Sequence, residues 1–326
     1  MSSIIEQYIN NHSFGISEYA RQLDKQINES GIYKGVIKNF NNPINTDSIA
    51  IFHFSNASRM VLLPLIRRKT GKNIVIIHDI LPRTFFLKPL NRVFFDIIGK
   101  YAETIIVHTT IAKELLLSLH SSFNPGNVVV IPHGSNIHKV SDEEKEQLRL
   151  KYGFNTHDKL LFLLGVISRQ RGQLAFLETF AQTKYKNLKL IVAGKCKNKK
   201  AIDFMKENNS LSYYGPVTNS RLKELFKICD AIVVYRRYSV GESSSAIAYG
   251  IGYGKPVLVS AFPSFMEMLG NAGLFFNNDR RAIQELLLRI SSSEINLEDF
   301  KPEIIRLQDN YKWETYFHKI RALIEK

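Results

Sequence analysis

Residues 231–259 open with Ala231-Ile232-Val233-Val234 and continue Tyr235-Arg236-Arg237-Tyr238-Ser239-Val240-Gly241-Glu242-Ser243-Ser244-Ser245. Small residues follow at Ala246, Ala248, Gly250 and Gly252, and the stretch ends in Gly254-Lys255-Pro256-Val257-Leu258-Val259. This reads as strand, charged loop, helix, turn, strand, the repeating unit of a parallel sheet covered by helices. The loop places one carboxylate and three hydroxyls at a helix start, beside two arginines. Unpaired backbone N–H groups and the helix dipole favour an anion there. Two readings are open on this stretch by itself: a site for an anion edged with hydroxyls, such as a sugar phosphate, and a serine-rich cap beside a solvated arginine pair.

The same alternation runs outward in both directions. Toward the N-terminus, strands are expected at 4–9, 48–54, 73–77, 104–107 and 127–131, with helices around 16–29, 57–70, 90–102 and 111–120. The turn cluster Pro132-His133-Gly134-Ser135-Asn136 and a charged stretch through Lys151 interrupt the pattern. It restarts with strands at 160–164, 188–192, 212–214, 231–235, 256–259 and 273–275, and helices beginning near Gln173, Ala201, Asn219 and Ser243. The expected fold is α/β, two doubly wound, Rossmann-like domains in tandem joined near 137–140. The expected domains are 1–138 and 139–310, and an amphipathic helix at 311–326 crosses back to the first. No internal repeat or low-complexity tract is present.

A chain of 326 residues accommodates two domains, and 44% apolar and 23% charged residues are ordinary for a globular protein. The formal charge of +14 suggests an anionic partner: a nucleotide, a nucleic acid or an acidic membrane surface. That charge is spread along the chain without a basic tail, which disfavours a dedicated nucleic-acid binder. Cys196 and Cys229 lack metal-ligand spacing and read as reduced thiols. With no signal-peptide pattern and no apolar run long enough to span a bilayer, the expected location is the cytoplasm, with any membrane contact peripheral.

Ligands of doubly wound sheets sit outside the carboxyl ends of the strands, so the strand-to-helix turns carry the candidate chemistry. In Asn10-Asn11-His12-Ser13-Phe14-Gly15-Ile16, Gly15 permits close backbone approach to a ligand, or the segment is a plain loop. His78-Asp79 ends an apolar strand. The imidazole there can donate a hydrogen bond to a substrate hydroxyl or carbonyl, and Asp79 can orient it or bind another hydroxyl; the alternative is a capping pair. In Gly165-Val166-Ile167-Ser168-Arg169-Gln170-Arg171-Gly172, two permanently charged, planar arginines match a diphosphate, or form a solvated basic turn. Backbone groups of Tyr213-Tyr214-Gly215-Pro216-Val217 suit a nucleobase edge or a structural turn. No cluster has metal spacing, and neither a P-loop nor a nucleophile elbow occurs.

In this order the pieces resemble a retaining glycosyltransferase of family 4, with the GT-B fold of two Rossmann-like domains facing a cleft. The resemblance covers nearly the whole chain. It is carried by the loop and helix at 14–23, His78-Asp79, Val130-Ile131-Pro132-His133-Gly134, residues 165–172, and Ile191-Val192-Ala193-Gly194. Tyr214-Gly215-Pro216-Val217, residues 241–259 with Glu267, and Tyr311-Lys312-Trp313-Glu314 complete it. It implies metal-independent transfer of a sugar from a nucleotide diphosphate sugar to an acceptor hydroxyl, with retention at the anomeric carbon and without a cofactor. The donor is expected mainly on the C-terminal domain and the acceptor on the N-terminal one.

By the same resemblance the catalytic residues are His78, Arg169, Arg171 and Glu242. Gly15, Gly165, Val217, Ser243, Ser244 and Ser245 join Arg169, Arg171 and Glu242 in holding the donor, and His12 and Asp79 face the acceptor. The leaving phosphate itself takes the acceptor's proton, so no dedicated base is assigned. The chain departs from the family at Val166, where an arginine is usual, and at the paired glutamates separated by seven residues. Those two positions hold Gly241 and Tyr249, and Glu242 is offset by one from the first. The Gly-Glu-Ser-Ser variant looks like a subgroup found among polysaccharide and O-antigen glycosyltransferases, from which GDP-mannose is the first guess for the donor. The departures keep open a second reading, a catalytically inactive GT-B-like partner or chaperone of another glycosyltransferase.

Basic and aromatic residues interleave in Arg83-Thr84-Phe85-Phe86-Leu87-Lys88-Pro89-Leu90-Asn91-Arg92-Val93-Phe94-Phe95. Such a segment can rest on an anionic membrane and would suit a lipid-linked sugar acceptor, a free saccharide being the alternative; equally, its four phenylalanines can be core.

Overall fold

The strands form where short runs of Ile, Val, Leu and Phe meet a turn at each end, and the computed structural model pairs all of them in parallel. It describes residues 3–10, 14–56, 59–68, 71–82 and 88–326. Two compact units result. The first takes Met1–Gly134, Val240–Ser245 and Asn310–Lys326, and the second Ser135–Ser239 and Ala246–Asp309.

In the first unit, β1 (Ser3–Ile9), α1 (Phe14–Glu29), β2 (Tyr33–Asn39), β3 (Ile49–Phe54), α2 (Leu62–Arg67), β4 (Asn73–Ile77), α3 (Lys88–Tyr101), β5 (Thr104–Val107), α4 (Thr110–Leu119) and β6 (Val128–Val130) follow one another. The sheet order is β2-β1-β3-β4-β5-β6. The second unit holds α5 (Asp142–Lys151), β7 (Lys159–Leu164), α6 (Gln173–Ala181), β8 (Leu188–Ala193), α7 (Lys199–Glu207), β9 (Leu211–Tyr213), α8 (Asn219–Ile228), β10 (Ala231–Val234), α9 (Ser245–Gly252), β11 (Val257–Ser260), α10 (Pro263–Leu269), β12 (Gly273–Phe276), α11 (Arg280–Ser291) and α12 (Lys301–Tyr311). Its order is β12-β11-β10-β7-β8-β9. The chain ends in α13 (Trp313–Ile324), part of the first unit.

Five elements escape the sequence reading, β2, α5, α10, α11 and α12, and the first two do so for clear physical reasons. Strand β2 is the edge of its sheet and carries Lys34, Gly35 and Lys38, so it has no apolar run and is nowhere fully buried. The charged stretch before Lys151 is helix α5, polar on all sides and therefore without an apolar stripe. Its ends supply the signal instead. Ser141 Oγ accepts from the Glu144 N–H, Asp142, Glu143 and Glu144 sit in the first turn, and Arg149 and Lys151 in the last, as the helix dipole prefers. Buried Arg149 then pins the helix, donating to Asp230 Oδ2 at 2.7 Å and to the carbonyl of Ile228 at 3.0 Å.

Because successive strand residues point to opposite faces, the sheet of the first unit buries two different layers. Phe52, Phe54, Val75, Ile77 and Val107 pack on α2, α3 and α4 through Leu65, Phe95, Ile98 and Leu116. On the other face Ile5, Ile51, Ile74, Ile76, Ile106 and Ile131 pack on α1 and α13 through Tyr19, Leu23, Trp313, Tyr316 and Ile320. The second unit's core is built likewise, with Leu161, Leu163, Leu190, Val192 and Val233 packing on α6 and α11.

The α1–α13 face ends in polar side chains at the carboxyl edge. Gln7, His53, His78, His108 and His133 each lie two residues beyond an isoleucine of that face, the first two within β1 and β3 near their carboxyl ends and the other three past the ends of β4, β5 and β6. The Tyr19 ring of α1 closes over the row, with centroids 5.7, 5.0, 5.6 and 4.7 Å from His53, His78, His108 and His133. Burial holds His53 and His133 down at about 3, with His108 adding to the effect on both, and burial holds His108 at about 4.

These rings are therefore neutral in the folded protein and protonate near 6.5 once unfolded. The stabilisation is complete above about pH 6.5 and is lost as pH falls toward the folded values, because the unfolded chain binds the extra protons. Urea unfolding at a series of pH values should show the unfolding free energy declining steeply from about pH 6.5 to about pH 4. A His108→Asn/His133→Asn double variant should show a shallower decline, and equal slopes in the two proteins would refute the assignment.

Candidate functional site

Ligands of open parallel sheets sit where neighbouring strands send their connections in opposite directions. In the second unit that point lies between β7 and β10, from which the order runs outward through β8 and β9 on one side and β11 and β12 on the other. Two arginine-bearing turns leave the sheet there: residues 165–172 after β7 and 235–239 after β10. Arg169 is exposed and Arg171 half-buried, and Arg236 and Arg237 follow the same pattern in reverse order.

The two turns are tied to each other. The Arg237 N–H donates to the Arg171 carbonyl at 3.1 Å, and the Arg171 N–H donates to Ser168 Oγ at 3.2 Å. With its amide in the orientation that satisfies both ends, buried Gln173 donates to the Val166 carbonyl at 3.2 Å and accepts from Arg236 Nη1 at 3.1 Å. Helix α6 starts just after left-handed Gly172 with no side-chain cap, so its N-terminal amides lie beside this positive edge. Backbone from β8 closes against the turn: Gly194 has φ +140°, and a Cβ on it would overlap the Gly165 carbonyl. Only glycine fits that approach. Val217, half-buried, lies in the turn between β9 and α8, where Thr218 caps the helix.

The first unit gathers the remaining residues. His78 follows β4 and is partly exposed; burial, then His53, His108 and His133, hold its imidazole well below the ordinary range. Asp79 is buried, its Oδ1 accepting from the Asn56 backbone N–H at 2.7 Å and from Asn56 Nδ2 at 3.0 Å, which fixes the turn after β3. The next two amides, of Ile80 and Leu81, both donate to the Val240 carbonyl at 2.9 Å. This latches the 240–245 loop beside the His78 turn. Buried Glu242 folds back to accept from the Val240 N–H through Oε2 at 2.6 Å. Gly241 has φ +71°, and a Cβ there would crowd Leu115 and Ile80, so this bend also requires glycine.

Beyond Gly241, Ser243 is half-buried, Ser244 is buried with an Oγ that has no hydrogen-bond partner among the described residues, and Ser245 begins α9. The small residues of α9 let it lie close to the sheet, since a Cβ on Gly250 would press on Val257 and Ile232. Gly15 sits in the first turn of α1, exposed, with open space where a side chain would begin. His12 lies outside the described residues.

The structure thus brings His78, Asp79 and the Glu242 loop together in the first unit, and Arg169 and Arg171 together in the second. Sequence reasoning left two features out of the candidate site. Arg236 and Arg237 stand in the very stretch that decided the fold, but their place beside Arg169 and Arg171 depends on β10 pairing with β7. The histidine row carries a direct signal, the pattern Ile-x-His at Ile51-Phe52-His53, Ile76-Ile77-His78, Ile106-Val107-His108 and Ile131-Pro132-His133. Among the described residues no group of three His, Cys, Asp or Glu side chains is placed to hold a metal ion, and no helix is long and apolar enough to cross a membrane.

Comparison with known proteins agrees with this architecture. Sucrose-phosphate synthase from Thermosynechococcus elongatus superimposes with a TM-score of 0.80 at 13% identity, covering 99% of this chain and 98% of that one. HepE from Anabaena, in complex with UDP-glucose, gives 0.79 at 13% identity with full coverage of both chains. A glycosyltransferase from Rickettsia africae gives 0.72 at 15% identity, covering 99% and 97%. Two parallel-sheet α/β domains of the GT-B type are therefore the fold. No curated protein sequence matches significantly. The profile of the family described as glycosyl transferases group 1 matches residues 144–306, half of the chain and the part that holds both arginine turns. The chain is a glycosyltransferase and belongs to the glycosyl transferases group 1 family.

Proposed function

We propose that the enzyme transfers a sugar from a nucleoside diphosphate donor to an acceptor hydroxyl with retention of anomeric configuration, as a family 4 glycosyltransferase, in the synthesis of a cell-surface polysaccharide or glycoconjugate. The observation that carries this reading is the pair of arginine turns at the reversal point of the second sheet. Arginine forks and the uncapped start of α6 are preorganised donors for a diphosphate, whose negative charge grows as the glycosidic bond breaks. They meet that charge without a metal ion. In this reading Gly165 lets the backbone approach the phosphates, Val217 offers backbone groups to the base, and Glu242 with Ser243, Ser244 and Ser245 holds the donor sugar and phosphate. His78 touches a sugar hydroxyl, Gly15 leaves room for the donor, and His12 and Asp79 belong to the acceptor side. The leaving phosphate accepts the proton of the attacking hydroxyl.

Support for a nucleotide-sugar donor comes also from HepE, whose structure contains UDP-glucose. The Gly-Glu-Ser-Ser loop points instead to GDP-mannose. A thermal-shift panel of UDP, GDP and their sugars separates the two, since a ligand that binds only the folded state raises its melting temperature. One base should stabilise the enzyme and the other should not; failure of every nucleotide would remove the reading.

Val166, exposed where family relatives carry arginine, and Tyr249, packed near Phe226 where they carry glutamate, favour an inactive partner subunit as the second reading. Substitution decides between them. Arg171→Ala and Arg169→Ala each remove charge-assisted hydrogen bonds and should lower kcat/KM about 10- to 100-fold, in assays run with EDTA to exclude metal assistance. Transfer unchanged by both variants would show that this chain is not the catalyst.

A peripheral contact with anionic membrane is part of the proposal. Residues 83–87 lie outside those described, Phe95 is core, and Phe94 is partly buried against that core. On α3, however, Leu90 and Val93 are 48% and 51% exposed, and Arg92 is exposed beside them. Charge reversal at Arg83, Lys88 and Arg92 should abolish sedimentation with anionic liposomes; unchanged sedimentation removes the membrane role.

A further inference from the structure

The polar row at the edge of the first sheet is ordered by proton position. Gln7 Nε2 donates to the Ala20 carbonyl at 3.1 Å and faces Asp24 Oδ1 at 3.4 Å. Both neighbours are acceptors, so the amide has one orientation, and Oε1 points to His53. The 3.0 Å contact between Gln7 Oε1 and His53 Nε2 therefore requires the proton on Nε2 of His53. With burial holding this ring neutral, its Nδ1 carries only a lone pair.

His78 Nε2 lies 3.3 Å from that Nδ1, with the two rings stacked side by side at 15° between their planes. Two lone pairs at this distance would repel, so the His78 proton resides on Nε2 and points at His53. The other nitrogen, Nδ1, is left without a proton and accepts no hydrogen bond from any described residue. Burial and the neighbouring imidazoles oppose a second proton on this ring. His53, Tyr19, His108 and His133 lie near the ring, and none of them brings a negative charge.

We propose that Gln7 and His53 are positioning residues that lock His78 in its Nε2–H tautomer, so that His78 meets the sugar as a hydrogen-bond acceptor through Nδ1, from a hydroxyl that donates to it. This rests on the placement of His78 at the donor sugar given above, and it reverses the donor role that the strand-end histidine suggests from sequence. The relay consists of Ala20, Gln7, His53 and His78, drawn from α1, β1, β3 and the end of β4. It explains why a glutamine and a histidine occupy fully buried positions among isoleucines on two adjacent strands. A site that offers a lone pair selects a hydroxyl or other N–H or O–H donor at that point of the substrate, and a group that can only accept is repelled.

The test reads the tautomer directly. In the full-length enzyme with 15N-labelled histidine, the His78 signals, assigned by their loss in His78→Gln, should show a protonated Nε2 and a bare Nδ1. Gln7→Leu and His53→Leu should shift them toward the average of two tautomers. His53→Asn, whose side-chain oxygen can take the place of Nδ1, should restore the wild-type pattern. Donor turnover, followed as nucleoside diphosphate released from UDP-glucose or GDP-mannose, should fall about fivefold in the two leucine variants, the effect of one neutral hydrogen bond, and recover in His53→Asn.

A proton found on Nδ1 of wild-type His78, or a signal identical in wild type and both leucine variants, overturns the relay whatever the enzyme's activity. A locked tautomer combined with turnover indifferent to His78→Gln leaves the relay standing as structure. That outcome overturns the acceptor role together with the placement of His78 at the sugar.

Discussion

Both sheets are parallel throughout, and this constraint organises the protein. A parallel strand cannot turn back on its neighbour, so every strand sends its next residue out at the same edge before a helix, or after β2 the connection 40–48, returns the chain. Polar side chains placed near or beyond the ends of the apolar runs are thereby collected at one edge. In the first unit the row is Gln7 with four histidines, and in the second it is the arginines after β7 and β10. Neither row requires an unusual fold. Each requires only that the strand patterns end in phase.

The two rows have opposite electrostatic character. The histidines are enclosed by Tyr19 and by α1, and burial leaves them neutral, so the first unit presents tautomer-specific hydrogen bonds without net charge. The arginines keep their charge at the sheet's edge, where one of each pair is exposed and the other half-buried. A nucleoside diphosphate sugar has the same division: an uncharged, hydroxyl-covered ring and a negatively charged diphosphate. The chemical match between each row and one part of such a donor is what gives the functional proposal its content.

Much of this was legible in the sequence because buried parallel strands leave dense apolar runs and glycine-marked turns. The strand at 231–234, its loop and its small-residue helix could be read from one stretch, and His78, Arg169 and Arg171 follow from their positions after strands. The edge strand β2 was not legible, since exposed Lys34 and half-buried Lys38 dilute its pattern, nor was α5, whose stability comes from caps and from Arg149 rather than from an apolar face. Asp79 was read as a possible substrate ligand, yet its Oδ1 also holds the Asn56 turn, a role that depends on packing between β3 and β4. The partnership of Arg171 with Arg237 depends on strand order, which local sequence does not encode.

The central claim is that the donor's diphosphate sits on the arginine turns of the second unit. Hydrogen exchange of the enzyme with and without a saturating nucleoside diphosphate locates the ligand without assuming its base. Slowed exchange at the amides of residues 165–174 and 236–239 is the result this account predicts. A nucleotide that binds while leaving both turns unprotected, with protection elsewhere, would contradict it.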